Sequence, residues 1–413
     1  MKKLLFATFI MFASLNSFAQ QPDTLFLKNM LESHPELFAG ILKHPTQNEV
    51  QILYTQIDRD EHNIPHFKSY SYRLNPKRYF YPASTVKLPT LIFALEKLNE
   101  LKIKGLSRQS SMITDSSFAG QTKVTRDTSS KTGLPSLENY MKKILLVSDN
   151  DAYNRLYEFV GREEINQKLK KYGLTQTRIV GRLAIGDGGD RARHTNPIRF
   201  YNGDKLIYTK PELIDNNDYP MAATDNLQQG KGYLDRNDKL VMGPFDFSNM
   251  NNYPLADQQM VLRRLLFPET FPKNERFNLT DNDYRFIYKY MSMYPTESKK
   301  PTYNRPDYFP AYCKFLFYGG DSSAVINPDI RIFNKVGDSY GYDIDNACIV
   351  NFKTKTEFLL SAVVQSNEDG IYNDNKYEYT TVCLPFLKNL AQVIYQYELT
   401  RPKKNEPNLS RYK

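Results

Sequence analysis

The feature that most constrains this chain is where its strand-like runs fall. "EVQILYTQID" and "HFKSYSYRL" alternate apolar and polar residues on either side of the polar turn "RDEHNIP", the pattern of a hairpin. Comparable runs return only near the other end, as "DIRIFNKVG", "NACIVNFKTK" and "TEFLLSAVVQ". A lone two-stranded ribbon is at best marginally stable in water. The early hairpin must therefore join the late strands in one sheet. This predicts an α+β fold, with an antiparallel sheet made from N- and C-terminal segments and packed with helices.

The chain between those runs reads as helix. Leu88, Ile92, Leu95, Leu98 and Leu101 recur at three- and four-residue spacing, one face of a helix. Leu137, Tyr140, Met141, Ile144 and Leu145 repeat the pattern after Ser136, a capping residue type. Further helices are expected over roughly 151–160 and from 163 to Gly173, giving an all-helical subdomain. Residues 24–43 suggest a helix before the hairpin, and Val382, Leu384, Phe386, Leu387, Leu390, Val393 and Ile394 one at the end. Residues 201–252 break the pattern, being polar and rich in Asn, Asp and Tyr, with two short strand-like runs. They are read as a surface insertion within a single domain spanning 20–413.

The opening, "MKKLLFATFIMFASLNSFAQ", has two lysines, an apolar run and small residues before Gln20, so 1–19 is expected to be a cleavable export signal. The run is too short to span a bilayer, and no later run approaches the length required. The expectation is an exported protein, periplasmic or secreted, without a membrane span. The three cysteines allow at most one bridge and are not a disulfide framework. The five histidines form no HExxH pattern, and no metal site is expected. The net charge of +9 comes from scattered basic residues without interleaved aromatics, which argues against nucleic acid as partner.

Chemistry is suggested by "RYFYPASTVKLPTLIF", where Ser84 and Lys87 stand one helical turn apart and face the same way, as a nucleophile and its base must. The spacing alone is weak, and Ser410 to Lys413 repeats it at the chain end. Two further elements sharpen it. Ser148-Asp149-Asn150 falls at a break between two expected helices, and Lys335-Val336-Gly337 lies in a late strand-like run.

SxxK, then SDN, then K-x-G on a strand, closed by a C-terminal helix, resembles the serine β-lactamase and penicillin-binding protein superfamily, closest to class A β-lactamases. The resemblance covers most of 24–398 apart from the insertion. A literal Lys131-Thr132-Gly133 precedes the SDN in a polar loop, so its order and context match no family element.

The resemblance implies that Ser84 attacks a carbonyl carbon and Lys87 takes its proton. Ser148 would relay a proton to the leaving nitrogen. Asn150 would hold substrate and the Lys87 head group, and Lys335 would attract a substrate carboxylate. Gly337 would let the substrate backbone pass close to the strand. The N–H groups of Ser84 and Asp338 would form the oxyanion hole. No cofactor is implied, the partner is a small β-lactam or a peptidoglycan-like acyl substrate, and the protein is expected to be a monomer.

Three features depart from the family pattern. Val336 stands where a hydroxyl residue is usual, and Pro89 lies early in the serine-bearing helix. The loop "TQTRIVGRLAIGDGGDRARHTNP" lacks the glutamate that activates the deacylating water, and a gapless register puts Leu183 in its place. Asp187 and Asp190 are the nearby carboxylates, either possible substitute bases or turn residues. The expected activity is serine hydrolysis through an acyl-enzyme, with β-lactams as first substrate. The rivals are a penicillin-binding, D,D-peptidase or esterase-type enzyme with slow deacylation, and a non-catalytic envelope-binding protein on the same fold.

Overall fold

The computed structural model describes residues 23–186 and 189–412; the signal-like start lies outside them. The early hairpin and the late strands do form one sheet. In spatial order its strands are Ile330–Ser339, Tyr342–Asn351, Thr356–Gln365, Gln51–Arg59 and Pro65–Tyr72, all antiparallel. The first strand, which carries Lys335 and Gly337, is therefore an edge.

Both faces of the sheet are covered, which is why its two central late strands are buried along their whole length. On one face Ile332, Ala347, Ile349 and Leu360 pack with Leu27, Phe38, Leu387, Leu390 and Ile394 from the terminal helices. Phe333, Cys348, Val350 and Leu359 point the other way, into a core with the central helices. Alternate residues of a strand face opposite sides, so one apolar run serves two cores. The N-terminal pattern resolves into two helices, Leu25–Glu32 and Pro35–Lys43, rather than one. Proline suits the first position of a helix and not its interior, so Pro35 starts the second.

The helix Lys87–Leu101 runs through the middle of the protein, with every residue from Lys87 to Glu96 buried. Pro89 is its third residue. The first four N–H groups of a helix have no intrahelical acceptor, so proline there forfeits nothing and the helix continues unbroken. Helices Leu137–Val147, Asn150–Val160 and Arg162–Lys171 pack around it, joined by Leu255–Leu266 and Asp281–Ser292. This helical region also carries a small sheet, Ser111–Thr114, Ile198–Asn202 and Lys205–Lys210.

The segment 201–252 is more than surface decoration. Its Phe247 is buried with Tyr79 and Tyr372, and Phe245 joins them from the rim. The Tyr79 N–H donates to the Asp225 carbonyl at 3.0 Å, tying the segment to the residues just before Ser84. On its other side Asn251 Oδ1 accepts from the N–H groups of Val180 (2.7 Å) and Gly181 (3.1 Å). The insertion thus braces both the approach to Ser84 and the start of the 176–197 loop.

Candidate active site

Ser84 lies in a single 3-10 turn, Ala83–Val86, that leads straight into the buried helix. Lys87 is the first residue of that helix and is wholly buried. Its side-chain nitrogen reaches across to the break between two helices. There it donates to the Asn150 Oδ1 at 2.6 Å, to the Ser148 Oγ at 3.3 Å, and to the Ser148 carbonyl.

The break is built by its own sequence. Ser148 closes the helix Leu137–Val147 in the left-handed region (φ 60°), and Asp149 caps the next helix by accepting from the Ala152 N–H at 2.7 Å. Capping by a short acidic side chain satisfies a donor that would otherwise be orphaned. Asp149 therefore holds the corner, while Ser148 and Asn150 on either side both turn toward Lys87.

Lys335 arrives from the edge strand and donates to the Ser148 Oγ at 2.7 Å and to the Val336 carbonyl at 2.8 Å. The Ser148 hydroxyl thus bridges the two lysines. Burial pushes the Lys87 amine well below its ordinary range, and the Lys335 charge pushes it further. Burial also lowers Lys335, to about 8. Lys335 is mainly cationic at neutral pH, and both influences on Lys87 shift it toward the neutral amine. A neutral Lys87 keeps two N–H donors, for the Ser148 carbonyl and Asn150, and its lone pair can receive the Ser148 hydroxyl proton. The chain Lys335, Ser148, Lys87 is a ready proton path.

Gly337 is pressed against the serine turn. A Cβ there would meet the Pro82 carbonyl oxygen at 2.9 Å and the Ser84 nitrogen at 3.0 Å. Glycine at this point is a packing requirement. It brings the strand, and Asp338 just beyond, to the edge of the same cleft. That cleft, of about 520 Å³, is lined by Ser84, Ser148, Asn150, Val336, Asp338 and Ser339, among others. The Asp338 side chain is exposed at its rim.

The loop that would carry a deacylating carboxylate is firmly anchored. Asn154 brackets Leu183, accepting from its N–H at 2.9 Å and donating to its carbonyl at 3.0 Å. Glu158, from the same helix, forms a buried pair with Arg182 and accepts from the Asn196 N–H. Among the described residues the loop meets the cleft through Leu183 and Ala184, which carry no acid. Asp190 is exposed on the loop's outer side, 3.9 Å from the His194 ring, and is not brought into the cleft. Asp187 lies outside the described residues. Among the described residues, the only carboxylate lining the cleft is Asp338.

Other cleft residues carry no sequence signature. Tyr81 and Tyr340 stand edge to face at 4.8 Å on one wall. Phe309, Tyr312 and Cys313 form another, and the Cys313 thiol is pushed up to about 11 by burial. All three cysteines are free and buried. Ser339 also offers a hydroxyl to the cleft. Behind the edge strand, Lys314 donates to the Ile332 carbonyl (2.9 Å) and to Asn334 Oδ1 (2.7 Å), while Asn334 donates to Asp345 (2.9 Å). This buried network fixes the strand from its back. Lys131 is exposed in a turn, away from the cleft.

No curated protein sequence matches the chain. Among solved structures it is similar to a β-lactamase from Sphaerobacter thermophilus DSM 20745, with 13% identity over 91% of this chain and 98% of that one, at a TM-score of 0.48. It is also similar to a class A β-lactamase from Clostridium kluyveri DSM 555, with 12% identity over 90% and 98% and a TM-score of 0.49. A mutant of PBP-A, in its acyl-enzyme complex with penicillin G, aligns at 12% identity over 90% and 96% with a TM-score of 0.45. Likeness at this level is no guide to chemistry. A family described as "Beta-lactamase enzyme family" matches residues 39–212, the segment that holds Ser84, Lys87, Ser148 and Asn150. It is the serine β-lactamase and penicillin-binding protein superfamily that this chain resembles, and over residues 39–212 it matches the β-lactamase enzyme family.

Proposed function

We propose that this protein is an exported serine acyl-transfer enzyme, acylated at Ser84 by β-lactams or related carboxylate-bearing amides, whose acyl-enzyme hydrolyses slowly. The observation that supports it most is the buried Lys87, held by Ser148 and Asn150 with Lys335 beside it. A lysine serves as general base only when neutral, and burial next to a second cation is what makes it so.

In this reading Ser84 Oγ attacks the carbonyl carbon as its proton passes to the Lys87 amine. Negative charge develops on the carbonyl oxygen, facing the N–H groups of Ser84 and Asp338. The scissile C–N bond then breaks, and the nitrogen takes a proton from the Ser148 hydroxyl, which is resupplied by Lys87. Lys335 receives the substrate carboxylate. Hydrolysis needs a second base aimed at water, typically a contribution of about 10²–10⁴-fold. Among the described residues of the loop, Leu183 and Ala184 line the cleft and offer none.

Stopped-flow turnover of a chromogenic cephalosporin tests this reading. A stoichiometric burst followed by a slow steady rate is expected, whereas fast turnover without a burst would show efficient deacylation and favour a full β-lactamase. The export signal is tested separately, by N-terminal sequencing of protein recovered outside the cytoplasm.

A further inference from the structure

Tyr340 lines the cleft at Ser84, and behind it, with ring centroids 6.1 Å apart, stands Tyr372. Tyr372 lines a second cavity of about 590 Å³, between the helix Pro35–Lys43, residues 226–230, the 365–370 loop and the start of the helix Leu384–Thr400. We propose that this second cavity binds a neutral saccharide.

The lining is unusual in composition. Seven of its side chains are carboxamides, among them Asn48, Gln228, Gln229, Gln365 and Asn367. Among the described residues no lysine or arginine lines it, although Arg78 stands behind Glu49 and the Lys231 stem packs against Gly370. An anionic ligand would meet no lysine or arginine in the lining itself, and would face the Glu368 carboxylate. Two carboxylates are present, Glu49 and Glu368, and Glu49 is already engaged by Arg78.

Some of the carboxamides are scaffolding and others are unspent. Gln229 Oε1 accepts from the hydroxyls of Tyr342 (2.7 Å) and Tyr372 (2.8 Å), and its Nε2 donates to the Asn226 carbonyl (2.8 Å). Gln365 donates to the Tyr372 hydroxyl (2.8 Å) and to the Tyr340 carbonyl (3.2 Å). Among the described residues, Asn367 Oδ1 is buried without a hydrogen-bonding partner. Leaving such an acceptor unpaired costs stability, and a ligand hydroxyl would remove that cost once the Asn367 carboxamide turns its sealed oxygen toward the cavity.

A carboxamide both donates and accepts, as a sugar hydroxyl does, so a cluster of them suits vicinal hydroxyls. A sugar ring also presents a C–H face, and Leu37, Ile41, Pro385 and Phe386 supply an apolar wall for it. The volume falls within the range of small-molecule sites, about 300–1,000 Å³. An extended peptide fits less well. The short strand beside the cavity, Ile371–Tyr372, is only two residues long and is already paired with Gly232 and Tyr233.

The proposal does not depend on acyl transfer at Ser84, and its test is separate. Isothermal titration of the full mature chain with maltotetraose, cellotetraose and tetra-N-acetylchitotetraose should give saturable binding for at least one, with a Kd of about 1 mM or tighter. Asn367→Ala and, at an exposed position, Gln228→Ala should each weaken that binding about five- to tenfold. Both should leave the circular dichroism spectrum and the acylation rate at Ser84 unchanged. No saturable binding with any of the three would overturn the proposal. So would equal affinity in both folded variants, or displacement of the sugar by a neutral peptide such as Gly-Asn-Ser-Gly.

Discussion

Replacing Lys335 with methionine keeps most of the side chain's length and removes its charge. Two consequences follow from the geometry. The first is lost recognition: a hydrogen bond to a charged group contributes about 1.5–3 kcal/mol. At about 1.4 kcal/mol per factor of ten, kcat/KM for acylation by a carboxylate-bearing penicillin should fall roughly 10- to 150-fold. An uncharged ester should lose far less. The second consequence lies in the pH profile. Lys335 gives up its proton near pH 8, so parent acylation should decline as pH rises through about 8, and that alkaline limb should vanish in the variant. The Lys335 charge also helps hold Lys87 down. Without it the Lys87 pKa rises, a larger fraction is protonated at a given pH, and the acid limb moves to higher pH. Second-order acylation rates with a fluorescent penicillin, from pH 5 to 10, measure both effects, with Lys131→Ala as a control expected to be silent. An alkaline limb that persists in Lys335→Met, or a Lys131→Ala effect of equal size, would refute the reasoning.

Gly337→Ala should force the edge strand off the serine turn, because the new Cβ falls within 3.0 Å of two backbone atoms; acylation should drop at least about tenfold while the protein stays folded, as overpacking of this kind usually costs about 1–3 kcal/mol. Glu158→Ala removes the buried carboxylate that pairs with Arg182 and accepts from the Asn196 N–H, a change that leaves a buried donor unsatisfied at a typical cost of about 1–3 kcal/mol, and calorimetry should show a clear fall in Tm. Asp190→Asn should leave the acyl-enzyme lifetime unchanged, since that side chain is exposed outside the cleft; a longer lifetime by mass spectrometry would place it in the deacylation step.

What was legible in the sequence was what depends on local spacing. Ser84 and Lys87 are one turn apart, and Ser148, Asp149 and Asn150 occupy a helix break whose αL corner and N-cap are written in those three letters. Lys335 was legible through strand context, because it falls in one of the late strand-like runs that pair with each other in the main sheet, whereas Lys131 falls in a polar loop. Residues that reach the cleft by tertiary packing were not legible. Phe309, Tyr312 and Cys313 form a wall from a stretch without periodic pattern, and the helices Leu255–Leu266 and Asp281–Ser292 drew no expectation. The insertion looked like surface because its polar composition hides Phe247, which is buried only by Tyr79 and Tyr372, far away in the chain. Pro35 divided what the apolar pattern suggested was one helix, where a proline rule outweighs periodicity.

The central claim is that Ser84 is acylated through a neutral Lys87 and deacylated slowly. Intact-protein mass spectrometry of the mature chain, sampled from seconds to hours after mixing with penicillin, tests it most directly. The account predicts one adduct of penicillin mass that forms within the burst, persists long after a fast hydrolase would have cleared it, maps to the Ser84 peptide, and is absent from Ser84→Ala. An adduct that survives in Ser84→Ala, or no adduct on the folded parent protein, would contradict it.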